Sequence, residues 1–511
     1  MQSGLFGSSN LAELAELDAA GLLASEGLRL GMVSRLNWRG QESAATLRYE
    51  GDHHHLVVAG SGGGKFVSSL GLLLFDFLDR QTGSCVVIDP KGEALHKIGK
   101  LALRPFDLHR DGEDFTVCWL DPWNLSQTGH TWSYNFLQRL TADSPNLADD
   151  ARALADAIII GGSQTETHWD DSAKIVLAGL LIYVAIHPQE NRRDLMRLCD
   201  ILMLPWETAN ANAESLSGIL TRMTTMDDPS TLANSVGWQY IGMPEKERES
   251  IFSAARRDTV WTKSPPMWRV IEDNANAINL DEVAAGRFML FVVLPFERMR
   301  THRAWLRLLV TALADAFRRV PPRGEGFPYR RHVFVDEWPR LGRLEVFQDE
   351  IAIARGANVQ YHLYCQSFGQ IEENYRDGWE DFVANSLVQA FAIQDKKTSE
   401  YLSAISGVQT VENPSSSSQT EGLWRRWSRS SSVSYTGRPV LMPDEIRRLG
   451  ASQLVVTRGV NPILADVERV YLSPRFKKGE GVSFPEVVST VGRPAQDEKE
   501  LDRFAWWTAG G

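Results

Sequence analysis

The sequence predicts an α/β protein: an open doubly wound or RecA-like nucleotide-binding domain, mostly parallel in its sheet, with an all-alpha domain inserted. Three observations carry this expectation. "HLVVAGSGGGKFVSSLGLLLFDFL", residues 55–78, reads as a buried strand, a glycine-rich turn and a helix that is apolar almost all round. The other strand candidates are continuous apolar runs, which suit a parallel sheet covered on both faces better than the alternation of a half-exposed strand would. Between 147 and 265, helical patterns follow one another with no convincing strand.

The elements follow in order. Residues 1–45 form an N-terminal segment with a short helical pattern, followed by "GMVSRLNWRGQESAATLRYEG", which alternates like edge strands. The RecA-like domain takes 46–146 and 266–475. Its strands are "LVVAG", "SCVVIDPKGE", "FTVCWLDP", "RFMLFVVLP", "HVFVDE", "VQYHLYCQ", "LVQAFAIQ" and "SQLVVTRG", with "HRAWLRLLVTALADAFRRV" as its longest helix. The all-alpha domain takes 147–265. Residues 413–437, "NPSSSSQTEGLWRRWSRSSSVSYTG", are Ser-rich and expected as a mobile loop. The C-terminal tail, 476–511, is polar until "FAWWTAGG", whose aromatics suit docking on a partner or on the protein's own body.

Composition sets outer limits. The 511 residues suffice for two to three domains, and the net charge of −11 argues against coating nucleic acid by net charge alone, although a basic channel inside an acidic protein is still allowed. Cys85, Cys118, Cys199 and Cys365 have no paired spacing and read as buried thiols of a reducing compartment. The longest apolar runs stop short of the roughly 20 residues a bilayer requires, and the first residues lack a basic region and long apolar core, so a cytoplasmic chain is expected.

The glycine-rich turn carries the chemistry. Successive backbone N–H groups ahead of a helix start cradle phosphate, and glycine permits both the dihedrals and the close approach. Gly60, Ser61, Gly62, Gly63, Gly64, Lys65 and Phe66 match G-x-x-x-x-G-K-[ST], with Ala59 and Phe66 as the departures. Phe66 removes the hydroxyl that ligates magnesium. On α-helical geometry Ser68 lies about 200° round from position 66, whereas Ser69 lies on the correct face about 4.5 Å deeper, within reach of the ion through water. Magnesium retains waters readily, so metal binding should weaken more than nucleotide binding. "RHVFVDEWPRLGRL" ends an apolar strand in Asp336, a magnesium ligand in the manner of a Walker B acid, and Glu337, an activator of the attacking water; the alternative is a pair of helix-capping acids. "YHLYCQS" ends a neighbouring strand in Gln366, placed to sense the γ-phosphate.

"AGSGGGK", "VVIDPKGE", "WDDSAKIVLAGLL", "VFVDEWPRLGRLEVFQDEIAIARG", "YCQSFGQIEENY" and "RPVLMPDEIRRL" together resemble the type IV secretion coupling ATPases, the VirD/TraG group, in order from about 45 to 475. The resemblance implies a RecA-like motor with an inserted all-alpha domain, assembled as a hexamer. Such a motor uses ATP and Mg2+ to pass relaxase-bound single-stranded DNA, or protein effectors, to a secretion channel. It implies Lys65 as the phosphate-loop lysine, Asp336 and Glu337 as the Walker B pair, and Gln366 as the sensor. Arg355, in "ARGANV", matches where the family keeps an arginine facing the neighbouring subunit; a surface arginine is the competing reading. Family members usually begin with transmembrane helices. This chain shows none, so a membrane-anchoring partner, or action at the cytosolic mouth of the channel, is expected.

Three further signals were weighed. The side chains of "DHHH" alternate faces in a strand and so cannot converge on one ion. Trp424, Arg425, Arg426 and Trp427 interleave aromatics with cations, which suits stacking on bases or an acidic protein surface. Asp170 and Asp171 of "HWDDSAK" suit the first turn of a helix. Against the motor stand a nucleotide-binding recruitment adaptor with little turnover, marked by Phe66, and a cytosolic DNA pump of the FtsK/HerA kind.

Overall fold

The computed structural model describes residues 7–36, 42–99, 109–110, 113–159, 167–210, 213–272, 276–421 and 426–468. Eleven strands form one sheet: β1 Leu28–Leu36, β2 Glu42–Tyr49, β3 His54–Ala59, β4 Ser84–Ile88, β5 Thr116–Leu120, β6 Phe288–Val292, β7 Arg331–Val335, β8 Val359–Cys365, β9 Ser386–Phe391, β10 Ser452–Val456 and β11 Ile463–Asp466. Their spatial order is β2-β1-β11-β10-β9-β3-β8-β7-β4-β6-β5. The seven strands from β9 to β5 are mutually parallel, and the four at the other edge pair antiparallel. β3, β4, β6, β7, β8 and β9 are buried along their whole length, which explains why their sequences are continuous apolar runs.

The edge strands read from residues 31–51 lie in this same sheet as β1 and β2, so the boundary at residue 45 falls inside β2 and the separate segment 1–45 is corrected. β11 was not anticipated: "ILAD" is too short to show a period. Between β5 and β6 the described residues add helices and no strand to the sheet, among them Leu147–Ile158, Thr167–Ile186 and Glu245–Thr259. Thr167–Ile186 is buried on most sides by its helical neighbours, and its first-turn Asp170 accepts from Arg257 at 2.9 Å. All four cysteines are buried and free. Among the described residues, no helix is long and apolar enough to cross a membrane.

The Ser-rich stretch departs from expectation. Val408–Glu421 and Arg426–Pro439 form a continuous antiparallel ribbon, not an irregular loop. A two-stranded ribbon pairs backbone groups without needing an apolar face, and its base is fixed by Ser9 N–H donating to Val408 O at 3.2 Å. The ribbon backbone contains Arg426 and Trp427; Trp424 and Arg425 lie outside the described residues, as does the 476–511 tail.

One buried cation locks the start of β7. Arg331, 1% exposed, donates to Ala284 O (2.8 Å), Phe317 O (2.6 Å) and Ala357 O (3.0 Å), and also to Val320 O. It thereby ties the C-terminal turn of the helix Phe296–Arg319 to the strand that delivers Asp336 and Glu337. Burial lowers its pKa to about 10, which still leaves it charged at neutral pH. Removing the guanidinium strands several buried carbonyls, so Arg331→Leu should lower unfolding free energy by about 3 kcal/mol. A urea midpoint unchanged by the substitution would refute this account.

Candidate functional site

Four adjacent parallel strands, β3, β8, β7 and β4, end on one edge, and their exit loops build a cleft of about 450 Å³. The loop after β3 supplies Gly60–Val67, that after β4 supplies Lys91 and Glu93, that after β7 supplies Asp336, Glu337 and Arg340, and that after β8 supplies Gln366; Phe296 completes the wall. Ligand sites of open parallel sheets lie at this carboxyl edge. The glycines are needed here. Gly64 has φ +80°, and a Cβ on Gly60 would meet Ala392 O at 2.4 Å.

The turn that follows is wider than an α-helical one. Phe66–Leu70 forms a π-turn, closed by Gly71 N–H donating to Phe66 O, before the helix Gly71–Arg80 begins. Angles counted on an α-helix therefore misplace Ser69. Its hydroxyl is buried beside the sheet, with Tyr364 OH at 3.1 Å and Gln389 Oε1 at 3.3 Å, and it does not line the cleft. The expectation that Ser69 reaches magnesium through water is corrected. Phe66 does line the cleft, its ring held by Lys97 Nζ 4.7 Å from the centroid.

Glu337 is the focus of the cleft. Lys65 Nζ and Lys91 Nζ each lie 3.0 Å from its Oε1, and Gln366 Nε2 lies 3.1 Å from its Oε2. Burial pushes its pKa up, but the Lys65 and Lys91 ammonium groups outweigh that and hold the carboxyl below its usual value. Its backbone sits at φ +49°, a left-handed conformation that ends β7 and turns the side chain into the cleft. Asp336 is buried; desolvation raises its pKa, and Lys91, with Nζ 3.5 Å from Oδ2, opposes the rise. Asp89 accepts from Glu93 N–H (3.1 Å) and Leu95 N–H (2.9 Å), which shapes the loop bearing Lys91; burial lifts its pKa to about 7.

Lys65, Asp336, Glu337 and Gln366 are thus brought together. Arg355 is not. It precedes β8 at the other end of the sheet, 3.7 Å from Asp52 at the start of β3, about 20 Å of strand from the glycine loop. Lys91 and Asp89 were missed as site residues, although "DPKGE" directly following a parallel strand was the available signal. For magnesium, the carboxylates lining the cleft are those of Asp336, Glu337 and Glu93, and Ser61 is the hydroxyl of the glycine-rich loop. They suit an ion that keeps most of its waters, and neither Phe66 nor Ser69 adds a hydroxyl where the helix starts.

The chain matches the family described as type IV secretory system conjugative DNA transfer over residues 10–487. It belongs to that family. It is 25% identical over 427 residues to the probable conjugal transfer protein TraG of Sinorhizobium fredii, covering 81% of this chain and 61% of that protein. It is 21% identical over 481 residues to protein VirD4 of Rhizobium radiobacter, covering 92% and 65%. The chain spans about three fifths of the length of the first TraG relatives. The bacterial conjugative coupling protein TrwB, solved with a non-hydrolysable ATP analogue, has the same mixed α/β fold: TM-score 0.61, 17% identity, 90% of this chain and 93% of that chain. TrwB solved with ADP and Mg2+ gives 0.55 and 16%, with 82% and 85% covered. The resemblance noted from the motifs is therefore a family membership.

Beneath the cleft of this family member runs a buried hydrogen-bonded chain. His332 Nδ1 lies 2.9 Å from His362 Nε2, His362 Nδ1 3.2 Å from His55 Nδ1, and His55 Nε2 2.9 Å from Gln389 Oε1, which also meets Ser69. Every contact is satisfied when each ring carries one proton, donated in sequence toward Gln389. An added proton on His362 or His55 would set N–H against N–H. Burial lowers His55 and His54 to about 4 and His332 to about 3. The adjacent His53 and His54 face other partners, Tyr49 OH at 2.7 Å and Ile351 O at 3.0 Å, so the "DHHH" run does not converge on an ion. Because these imidazoles take up protons near 6.5 only when unfolded, stability is full above about pH 6.5 and falls as pH drops toward 4. The expected slope is about 1.4 kcal/mol per pH unit for each group titrating. Urea midpoints across pH 4–7 test this; a flat profile would contradict it.

Proposed function

We propose that this chain is the ATP-dependent coupling motor of a conjugative type IV secretion apparatus, recruiting cargo and driving its transfer to the channel. The observation that carries the reading is Lys65, from a phosphate-type loop, meeting Glu337 at 3.0 Å across a cleft that Gln366 completes. An arriving triphosphate would compete for Lys65, while the loop amides and the helix start hold its oxygens. That exchange would free Glu337, kept ionised by its neighbours, to accept a proton from the attacking water, with Gln366 orienting it. Asp336 would hold the magnesium ion through water, and the ion would neutralise charge on the phosphates.

Other assignments follow the family and this layout. Arg355, remote from its own cleft, is assigned to the cleft of a neighbouring subunit in a hexameric ring. The cargo is relaxase-bound single-stranded DNA or a protein effector. The Arg426–Pro439 arm with Trp427, and the residues Trp424 and Arg425 in the sequence before it, are candidates for contacting the strand. A cytoplasmic position, peripheral at the membrane through channel components or an anchoring partner, suits this work.

Phe66 favours one second reading, a nucleotide-binding recruitment adaptor with little turnover. Phosphate release with and without single-stranded DNA, for the natural protein, Phe66→Thr and Glu337→Gln, separates the two. The motor reading expects DNA-stimulated release by the natural protein and a loss of about 10²-fold or more in Glu337→Gln. No stimulated release from the natural protein, with a gain in Phe66→Thr, would establish the adaptor instead.

A further inference from the structure

Lys91 stands on the exit loop of β4, directly beside the acids at the end of β7, because β4 and β7 are adjacent parallel strands with Ile88 opposite Val335. Asp336 N–H donating to Ile88 O at 3.1 Å joins the two exits, and the buried Asp89 carboxylate holds the Lys91 loop through two backbone N–H groups. The Lys91 ammonium bridges both acids, 3.0 Å from Glu337 and 3.5 Å from Asp336, and its side chain is 40% exposed toward the cleft. Lys65 reaches the same Glu337 oxygen from the glycine loop. Two cations are therefore already in place where the polyphosphate would arrive. Meanwhile the oxygen set around a metal is depleted: position 66 is a phenyl ring held by Lys97, and the Ser69 hydroxyl is committed to Tyr364 and Gln389.

We propose that Lys91 is a second phosphate-binding cation of this site and carries much of the charge neutralisation otherwise left to the metal, so that nucleotide binding survives removal of divalent ions. The inference rests on the nucleotide-binding reading above. The physical basis is local charge balance. Without Lys91, a triphosphate would face Asp336 and Glu337 with Lys65 as the one remaining ammonium group seen to touch Glu337 among the described residues, and like charges that close strongly oppose binding. An ammonium group is a compact point charge with three donors on a flexible stem, so it can swing from carboxylate to phosphate without rearranging the loop.

Affinity for a fluorescent ATP analogue, measured in excess Mg2+ and in excess EDTA, tests this without any reliance on turnover. The natural protein should bind in EDTA within about tenfold of its affinity in Mg2+, a difference of about 1.4 kcal/mol at most. Lys91→Ala should lose at least about tenfold more affinity in EDTA than in Mg2+, Lys91→Arg should keep binding in both, and Phe66→Thr should gain only in Mg2+. Binding by the natural protein that disappears in EDTA, or a Lys91→Ala loss equal in both media, overturns the assignment while leaving the nucleotide site intact. Absence of binding in either medium overturns the nucleotide reading, and the role of Lys91 with it.

Discussion

A single carboxylate organises this molecule's working edge. Glu337 accepts from two lysines and a glutamine that arrive on three different loops, and the strand order brings those loops together. β8 lies between β3 and β7, and β4 flanks β7, so the phosphate loop, the glutamine, the acids and the second lysine stand side by side. Parallel pairing directs every one of these strand ends to the same edge. The convergence needs no long reach by any side chain, because every partner of Glu337 stands on a neighbouring loop.

The surroundings treat the two acids differently, and this separates their capacities. Both carboxyls are buried, but desolvation prevails at Asp336 and raises its pKa, whereas two ammonium groups outweigh it at Glu337 and lower its pKa. The second environment suits the proton-accepting role proposed for Glu337. The left-handed backbone at Glu337 places conformational cost where the loops face each other, while Gly64 takes φ +80° beside Lys65 because it has no Cβ. Rigid support comes from beneath: Arg331 anchors β7, and the imidazole chain joins β7, β8, β3 and β9 to the first turn of the helix behind the phosphate loop.

The same packing explains where a local reading of the chain failed. Ser69 was placed by α-helical arithmetic, but the turn from Phe66 to Leu70 is wider, and sheet side chains that are distant in sequence capture the hydroxyl. The serine-rich stretch lacks an apolar face yet pairs into a ribbon, since backbone hydrogen bonding is indifferent to side-chain polarity. Lys91 was legible as part of "DPKGE" but its partners were not, because they lie 245 and 246 positions away.

The chain's own text was enough for the class of fold, the glycine-rich loop after β3, the acids ending β7, the glutamine ending β8 and the family, since each is a local pattern: apolar runs of strand length, glycines before a lysine, polar residues at a run's end. Long-range packing alone decided which strands neighbour one another, which cation meets which acid, which hydroxyl is withdrawn from the cleft, and that Arg355 belongs to the far edge. Those outcomes depend on contacts between residues hundreds of positions apart, and a local period carries no information about such distances.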